Sequence, residues 1–161
     1  MKFIRTFMLL GALLSLILYT SPSFAKTESN KGILLSEVKK KAEFKVLTPK
    51  EFSGNWSLVI KPYPSERSSK IDKIRLTYVD KSLKDYMMLG IEQRKADTDT
   101  SLLENRGKVV KIKNSKGLFE AWEGGSPKGG ILRWVQSGTY IEMHSSKLTK
   151  KEMLGLAQSM Q

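Results

Sequence analysis

The stretch LRWVQSGTYIEMH, residues 132–144, alternates apolar and polar side chains on both sides of a central Ser137-Gly138. Serine and glycine between two alternating runs are typical of the two-residue turn of a β-hairpin. A two-residue turn at Ser137-Gly138 pairs residues 132–136 with residues 139–143. One face of the hairpin then carries Leu132, Trp134, Ile141 and Met143. The second face collects Arg133, Tyr140, Glu142 and His144. Arg133 then lies opposite Glu142, as expected of a cross-strand ion pair.

Similar runs precede the hairpin and predict further strands. Alternation is clearest where Ile74, Leu76 and Tyr78 are interleaved with polar residues. The other strand-like runs are residues 56–60, 86–92, 108–113 and 117–122. Pro62-Tyr63-Pro64-Ser65 is expected to close the first of these runs with a turn. Short strands at hairpin spacing predict an antiparallel sheet of about six to seven strands.

Two amphipathic helices are predicted, one on each side of the strands in sequence. Apolar residues at three- and four-residue spacing predict a short helix ending before Pro49. Its apolar positions are Leu34, Leu35, Val38 and Ala42. Near the end of the chain, Thr149 and Glu152 have the spacing of a capping box, which predicts a helix start. The stripe that follows is Met153, Leu156, Ala157 and Met160. We therefore expect an α+β domain, with both helices on the apolar face of the sheet and the tryptophans buried.

The first residues have the pattern of a secretory signal peptide. Lys2 and Arg5 precede an apolar run at residues 7–19, and Ser23-Phe24-Ala25 resembles a cleavage site. The run suits a signal core of 7–15 residues and is shorter than the roughly 17–25 residues that span a bilayer. We expect cleavage after Ala25. The predicted organisation is signal peptide 1–25, linker 26–32 and a single α+β domain at 33–161.

Composition excludes several classes of site. The chain has no cysteine, so disulfides, thiolate metal sites, cysteine nucleophiles and a lipid-modified cysteine are all excluded. It has one histidine, too few for an ordinary zinc site, and no metal or cofactor is expected. The formal charge is +12, and removal of Lys2 and Arg5 with the signal peptide lowers it to +10. A basic, disulfide-free extracellular domain is therefore predicted.

The sequence offers only a weak set of catalytic residues. His144 is the single histidine, and Glu142 and Arg133 are its nearest partners on the predicted hairpin. A secreted phosphodiesterase-like hydrolase is one interpretation of this group. The alternative is a histidine that lies on the polar face at the end of a strand and has no chemical role. We expect no catalytic site, and we keep Glu142, His144 and Arg133 as weak candidates.

Two loops resemble ligand-binding motifs only in part. Asp97-Thr98-Asp99 lacks the glycine and glutamate of a calcium loop, so a solvated loop is favoured. The glycine-rich residues 124–130 lack the lysine-serine ending of a phosphate-binding loop and lie between two predicted strands. A hairpin connection is therefore the favoured interpretation of the second loop.

The excess of basic residues is the strongest functional signal. Lysine and arginine attract polyanions in a salt-dependent manner. The candidate polyanion-binding residues are Lys39, Lys40, Lys41, Lys61, Arg67, Lys70, Lys73, Arg75, Lys108, Lys111 and Lys113. Such charge is also compatible with plain solubility and with retention in a cell wall without a specific ligand.

Several segments together resemble a known family. They are Ala42 to Lys50 (AEFKVLTPK), the Trp56 strand, Ile74 to Tyr78, residues 132–134 with 139–141, and the closing helix at 148–160. Their order is similar to a domain-of-unknown-function family of Gram-positive bacteria. The resemblance implies a short helix and a Phe-Lys-Val link that lead into a sheet and a final helix. It also implies secreted or membrane-tethered relatives, some linked to regulators of extracytoplasmic sigma factors, with no established catalytic residues.

The sequence as a whole favours a secreted, non-enzymatic domain that is associated with the cell envelope, either free outside the cell or retained in the wall. Its expected partner is an anionic envelope polymer, such as teichoic acid, or another protein. The alternatives are the hydrolase that would use Glu142 and His144, and a regulatory or sensory module that contacts a membrane protein. Ligand binding through the polar face is expected in the first case and a pocket around His144 in the second.

Overall fold

The computed structural model describes residues 32–50, 52, 55–83, 86–97, 107–124 and 129–161. The predicted signal peptide, its cleavage after Ala25 and nearly all of the linker lie outside the described residues. Thr98, Asp99 and residues 125–128 of the two candidate loops also lie outside them. Among the helices of the described part, none is long and apolar enough to cross a membrane.

Seven strands form one sheet, and two helices accompany it. In chain order the elements are α1 (Leu35–Lys41), β1 (Trp56–Tyr63), β2 (Lys73–Asp80), a 3-10 turn (Lys81–Leu83), β3 (Tyr86–Lys95), β4 (Lys108–Ile112), β5 (Ser115–Ala121), β6 (Gly130–Gln136), β7 (Thr139–Ser145) and α2 (Lys150–Ser159). The spatial order is β1-β2-β3-β7-β6-β5-β4, and every neighbouring pair is antiparallel. The predicted antiparallel sheet of six to seven strands with two helices is confirmed.

The β6–β7 hairpin has the predicted register. Ser137 and Gly138 form its turn with φ angles of 53° and 76°. Positive φ at both positions matches the twist of a two-residue hairpin turn, and glycine adopts it without steric cost. The pairs Trp134↔Ile141 and Arg133↔Glu142 are both observed.

The centre of the sheet joins distant parts of the sequence. β3 pairs with β7 through Gly90↔His144, Glu92↔Glu142 and Arg94↔Tyr140. β4 follows β3 in the sequence but lies at the far edge of the sheet. The charged residues of β2 and β3 are thereby brought beside those of the C-terminal hairpin.

The apolar face of the sheet is buried beneath α2. Trp134, Ile141 and Met143 are fully buried in the same cluster as Met153 and Ala157 of α2. The predicted capping box of Thr149 and Glu152 starts this helix. Val38 of α1 is also fully buried in that cluster. All residues of the cluster lie between Ile33 and Met160, so this part of the chain contains its own core.

The expectation that every tryptophan is buried is wrong for Trp122, and Trp56 is only partly buried. Trp134 has no exposed surface, whereas the Trp122 side chain is 38% exposed. Trp122 follows the last residue of β5. It therefore lies beyond Ala121, the last residue of β5 that pairs with β6.

The link after α1, residues 44–48, is attached to the sheet and to the end of the chain by hydrogen bonds of its backbone groups. The Gln93 side chain accepts from the Leu47 N–H at 2.8 Å and donates to the Leu47 carbonyl at 2.7 Å. The Thr139 hydroxyl donates to the Lys45 carbonyl at 2.7 Å. Thr48 and Gln161 exchange two backbone hydrogen bonds. Buried polar side chains on the apolar face thus serve to dock this link.

The prediction that a turn begins at Pro62 is wrong. β1 continues through Pro62 to Tyr63, with Pro62 paired to Ile74. β1 is an edge strand of the sheet. Proline is tolerated at an edge because one side of the strand needs no ladder donor.

Candidate functional site

The side of the sheet opposite the buried residues is rich in charge, and we name it the polar face. Strand alternation places its residues out of phase with the core positions of the same strands. We define it by Lys61, Tyr63, Lys73, Arg75, Glu92, Arg94, Glu120, Arg133, Tyr140, Glu142 and His144. The weak catalytic candidates and three of the candidate polyanion-binding residues belong to this one surface.

A row of ion pairs crosses the middle of the polar face. Arg75 Nε donates to Glu92 Oε1 at 2.9 Å, and Lys73 Nζ lies 3.5 Å from Glu92 Oε2. On the next strands, Arg133 Nε donates to Glu142 Oε2 at 2.8 Å, as the hairpin register predicts. Arg133 Nη1 also donates to Glu120 Oε2 at 2.6 Å. Each of these carboxylates therefore has an arginine partner, and Glu120 and Glu142 share Arg133.

The pKa values of these groups follow from the pairing. Burial raises the pKa of Glu92, but the hydrogen bond and charge of Arg75, aided by Lys73, outweigh burial and lower it below the ordinary value. Burial lowers the pKa of Arg133, but hydrogen bonds to Glu120 and Glu142 outweigh that effect and raise it. Both groups are held in their charged forms. A carboxylate in this state is a poor proton donor at neutral pH.

His144 lies against the backbone of β3. A Cβ atom built on Gly90 would be 2.3 Å from His144 Nε2, so the imidazole occupies the space that a side chain at position 90 would fill. Burial lowers the pKa of His144 below its ordinary value of 6.5, and the charge of Arg75 lowers it further. Glu92 and Glu142 oppose this shift. Across the described residues, no hydrogen bond involves the imidazole, and Glu142 pairs with Arg133 instead.

A second row carries aromatic rings beside cationic side chains. Lys73 Nζ lies 4.6 Å from the centroid of the Tyr63 ring, and Lys61 Nζ lies 5.4 Å from it. The Arg94 guanidinium lies 4.6 Å from the centroid of the Tyr140 ring. A cavity of about 350 Å³ opens between these strands, and its lining residues are Lys73, Glu92, Gln93, Arg94, Tyr140 and Glu142. His144 is not among them.

The candidate polyanion-binding residues occupy three separate places. Lys39, Lys40 and Lys41 belong to α1, and Arg67 and Lys70 belong to the connection before β2. Lys61, Lys73 and Arg75 lie on the polar face. Lys108 and Lys111 lie on β4, at the opposite edge of the sheet, where Lys111 is on the same side as the polar face, and Lys113 lies in the turn that follows.

Several of these cations already have partners within the protein. Lys70 Nζ lies 2.8 Å from Glu43 Oε1, which raises the lysine pKa and lowers the glutamate pKa through their hydrogen bond. Lys41 donates to the Glu66 carbonyl, and Lys113 donates to the Met160 carbonyl. Lys41, Lys70 and Lys113 therefore make contacts within the protein, in addition to contributing surface charge.

The sequence pattern does not single out Tyr63, Glu92, Arg94 and Glu120 of the polar face, nor Gly90 beneath His144. Residues 86–92 form a mainly apolar run in the sequence, which hides Glu92, and Arg94 lies beyond that run. Tyr63 belongs to the predicted turn at residues 62–65. Gly90 has no side chain, so no sequence pattern marks it as a contact of His144. Alternation with the buried Ile91 and Gln93 was the available signal for Glu92 and Arg94.

Metal-binding geometry is not found on the part of the chain that the structure describes. No group of three His, Asp or Glu residues there is arranged to hold a metal ion. Asp97, the described member of the candidate calcium loop, accepts a hydrogen bond from Arg94 at 2.6 Å. Its carboxylate is engaged in an ion pair at the end of β3.

The fold and site define an α+β domain with a buried apolar sheet face and a charged, aromatic polar face. Residues 43–160 match the family described as a domain of unknown function, DUF4367, and the chain belongs to this family. No curated protein and no solved structure matches the chain. The matched segment begins at the docked link and ends with α2, so it contains the whole sheet.

Proposed function

We propose that this protein is a secreted, non-enzymatic domain of the cell envelope that binds an anionic polymer through its polar face. The observation that carries the proposal is the excess of cations on a face whose three carboxylates are all paired with arginine. Arg75 and Arg133 hold the carboxylates of Glu92, Glu120 and Glu142, and the excess of positive charge comes from the further cations Lys61, Lys73 and Arg94. An incoming polyanion would therefore meet net positive charge.

Lys61 and Lys73 are the residues best placed for this role. They approach the same Tyr63 ring at β1 and β2, one edge of the sheet. Lys61 is exposed and has no ion pair with a described residue, and the Lys73 contact with Glu92 is long, at 3.5 Å. Two amines beside an aromatic ring can contact a repeating anionic chain by charge and by ring packing.

The cellular setting is inferred from the sequence and from the family resemblance. The signal-like residues 1–25 support secretion, and the resemblance supports a Gram-positive envelope. The abundant polyanions there are teichoic acids, whose repeating phosphates suit lysine side chains. We therefore propose wall teichoic acid as the polymer.

Binding to purified wall teichoic acid tests the proposal. The variant Lys61→Ala/Lys73→Ala removes two charges from the polar face, and Lys39→Ala/Lys40→Ala removes two exposed charges from α1 as a matched control. We expect the first variant to bind about tenfold more weakly, and the salt dependence of its binding to fall by about one unit of slope per lost phosphate contact.

Comparison with the control variant shows which result would contradict the proposal. If both double variants lose the same affinity, the attraction comes from overall charge and the polar face is not a binding site. Binding of neutral dextran with similar affinity would also contradict the proposal. Circular dichroism and thermal unfolding of each variant establish that the fold is unchanged before binding is compared.

The hydrolase alternative receives less support from the same geometry. Glu142 is hydrogen-bonded to Arg133, and His144 lies over Gly90 outside the cavity at Tyr140. A general acid-base pair needs the two groups within hydrogen-bond reach of a reacting atom. Loss of a phosphodiesterase activity in His144→Ala, with the fold intact, would restore this alternative.

A protein is the other possible occupant of the polar face. The family resemblance implies links to regulators of extracytoplasmic sigma factors, and such a regulator would be a membrane protein. Crosslinking from position 61 in intact cells distinguishes the two cases. Recovery of one defined protein would replace the polymer as the partner, whereas crosslinks to wall material would support the proposal.

A further inference from the structure

The cavity between β2, β3 and β7 on the polar face holds acidic as well as basic side chains. Its volume is about 350 Å³. Lys73 and Arg94 contribute two cations to its lining, Glu92 and Glu142 contribute two carboxylates, and Tyr140 contributes an aromatic ring. Carboxylates oppose the binding of an anion by charge alone. The cavity therefore suits a ligand that carries hydrogen-bond donors as well as negative charge.

The strand register places the two signs of charge in separate rows. In the first row, Lys73 pairs with Arg94, and Arg94 pairs with Tyr140. In the second row, Glu92 pairs with Glu142. Two residues of a strand separate these rows, which is a distance of roughly 7 Å. A chain-like ligand that crosses both rows meets cations with one group and carboxylates with the next.

Both carboxylates of the cavity are able to accept further hydrogen bonds. Glu142 accepts from Arg133 Nε through Oε2, and within the described part of the chain no hydrogen bond reaches its Oε1. The Lys73 amine lies 3.5 Å from Glu92 Oε2, which is a long contact. An ionised carboxylate has two oxygens and about four acceptor positions. Each carboxylate can therefore accept from a hydroxyl group of a ligand.

The two cations of the cavity suit phosphate oxygens. Arg94 donates to Asp97 through Nη1, and its guanidinium lies 4.6 Å from the centroid of the Tyr140 ring. A guanidinium has five N–H donors, so the bond to Asp97 leaves others for a ligand. Lys73 Nζ lies over the Tyr63 ring at the other side of the cavity. Charge-assisted hydrogen bonds from such groups to phosphate are stronger than neutral ones.

We propose that this cavity binds a polyol phosphate unit. A hydroxyl group of the polyol bonds to the carboxylates, and the adjacent phosphate bonds to Lys73 and Arg94. The inference rests on the proposed binding of teichoic acid, and it adds that the protein recognises hydroxyl groups as well as phosphates. Glu142 then determines specificity, because an anionic chain without hydroxyl groups leaves its carboxylate unpaired and facing negative charge.

Binding of two oligomers of equal length tests the inference. One is an oligomer of glycerol phosphate. The other is an oligomer of propane-1,3-diol phosphate, which has the same phosphate spacing and lacks the hydroxyl group. Fluorescence anisotropy of the labelled oligomers measures both affinities. We expect the protein to bind the glycerol oligomer about tenfold more tightly, which is the effect of one hydrogen bond to a charged group.

Glu142→Gln and Glu120→Gln form a matched pair of variants. Both carboxylates pair with Arg133, but only Glu142 lines the cavity. Each variant removes one negative charge, so overall affinity for both oligomers should rise. We expect the tenfold preference to fall to about threefold in Glu142→Gln, because a neutral acceptor forms a hydrogen bond roughly half as strong. Glu120→Gln should change both affinities by the same factor and keep the preference.

The possible failures can be told apart. Equal affinity of the unchanged protein for the two oligomers would overturn this inference and leave polymer binding in place. If neither oligomer nor wall teichoic acid binds, the proposed function fails and the inference fails with it. An equal loss of preference in Glu120→Gln would show that the cavity does not recognise the hydroxyl group. The comparison on the unchanged protein decides the matter even where Glu142→Gln does not fold.

Discussion

The two faces of the sheet satisfy their polar groups in different ways. On the apolar face, Gln93 and Thr139 are fully buried and bond to the backbone of the docked link. On the polar face, Glu92 and Glu142 accept hydrogen bonds from arginines of neighbouring strands. Buried amides and hydroxyls therefore hold the fold together, whereas the half-exposed charges leave lysines available for a ligand.

The largest expected loss of stability comes from removing the buried hydrogen bonds between Gln93 and Leu47. Gln93→Ala leaves the N–H and carbonyl of Leu47 without their side-chain partner and opens a small void. We expect the free energy of unfolding to fall by about 3 kcal/mol, since each buried polar group left unpaired costs about 1–3 kcal/mol. Urea unfolding followed by circular dichroism measures this change.

The adjacent residue provides the control. Glu92→Gln alters the opposite face of the same strand and keeps the side-chain shape. We expect a loss of about 1 kcal/mol or less, because this ion pair is partly solvated. If Glu92→Gln costs as much stability as Gln93→Ala, the assignment of structural bonding to the apolar face is wrong.

A smaller effect is expected from the contact between Gly90 and His144. Gly90→Ala places a methyl group where the imidazole lies, so the ring must move. We expect a loss of about 1–2 kcal/mol in unfolding free energy, typical of overpacking. In a His144→Ala background the methyl group has space, and most of that loss should disappear in a double-mutant cycle.

Additive losses would contradict this account of His144. They would mean that the backbone of β3, and not the imidazole, resists a side chain at position 90. The cycle therefore measures whether the histidine has a packing role, independently of any catalytic assay.

The smallest expected effect is a pH dependence from the same histidine. Burial and Arg75 lower the pKa of His144 in the folded protein, so the unfolded chain binds its proton more readily. The contribution of His144 to stability is fully present above the unfolded pKa, near 6.5, and is lost as pH falls through the folded pKa. We expect His144→Gln to remove this part of the decline in the unfolding free energy between pH 7 and pH 5. An unchanged slope would contradict the lowered pKa.

The C-terminal hairpin and α2 were the parts best predicted from the sequence. The Ser137-Gly138 turn fixes the register of β6 and β7 locally, and the capping box fixes the start of α2. The Arg133–Glu142 pair follows directly from that register. Local chemistry was sufficient because each of these features depends on residues close together in the sequence.

The remainder depended on long-range pairing. Alternation identifies a strand but does not say which strand is its neighbour, so the pairing of β3 with β7 was not predicted. The place of His144 over Gly90 follows from that pairing. The ion pair of Arg75 with Glu92 follows from the register of β2 with β3, and the docking of Leu47 on Gln93 from a contact between segments 46 residues apart. Pro62 was misassigned because its tolerance in a strand depends on the edge position of β1.

The most direct test of polymer binding through the polar face is the map of amide chemical-shift changes when wall teichoic acid is added. We expect the largest changes around Lys61, Lys73, Arg94 and Tyr140, on β1, β2, β3 and β7. We expect small changes on β4, although Lys108 and Lys111 carry the same charge. Changes confined to β4, or spread evenly over every basic segment, would contradict the assignment of the polar face as the binding surface.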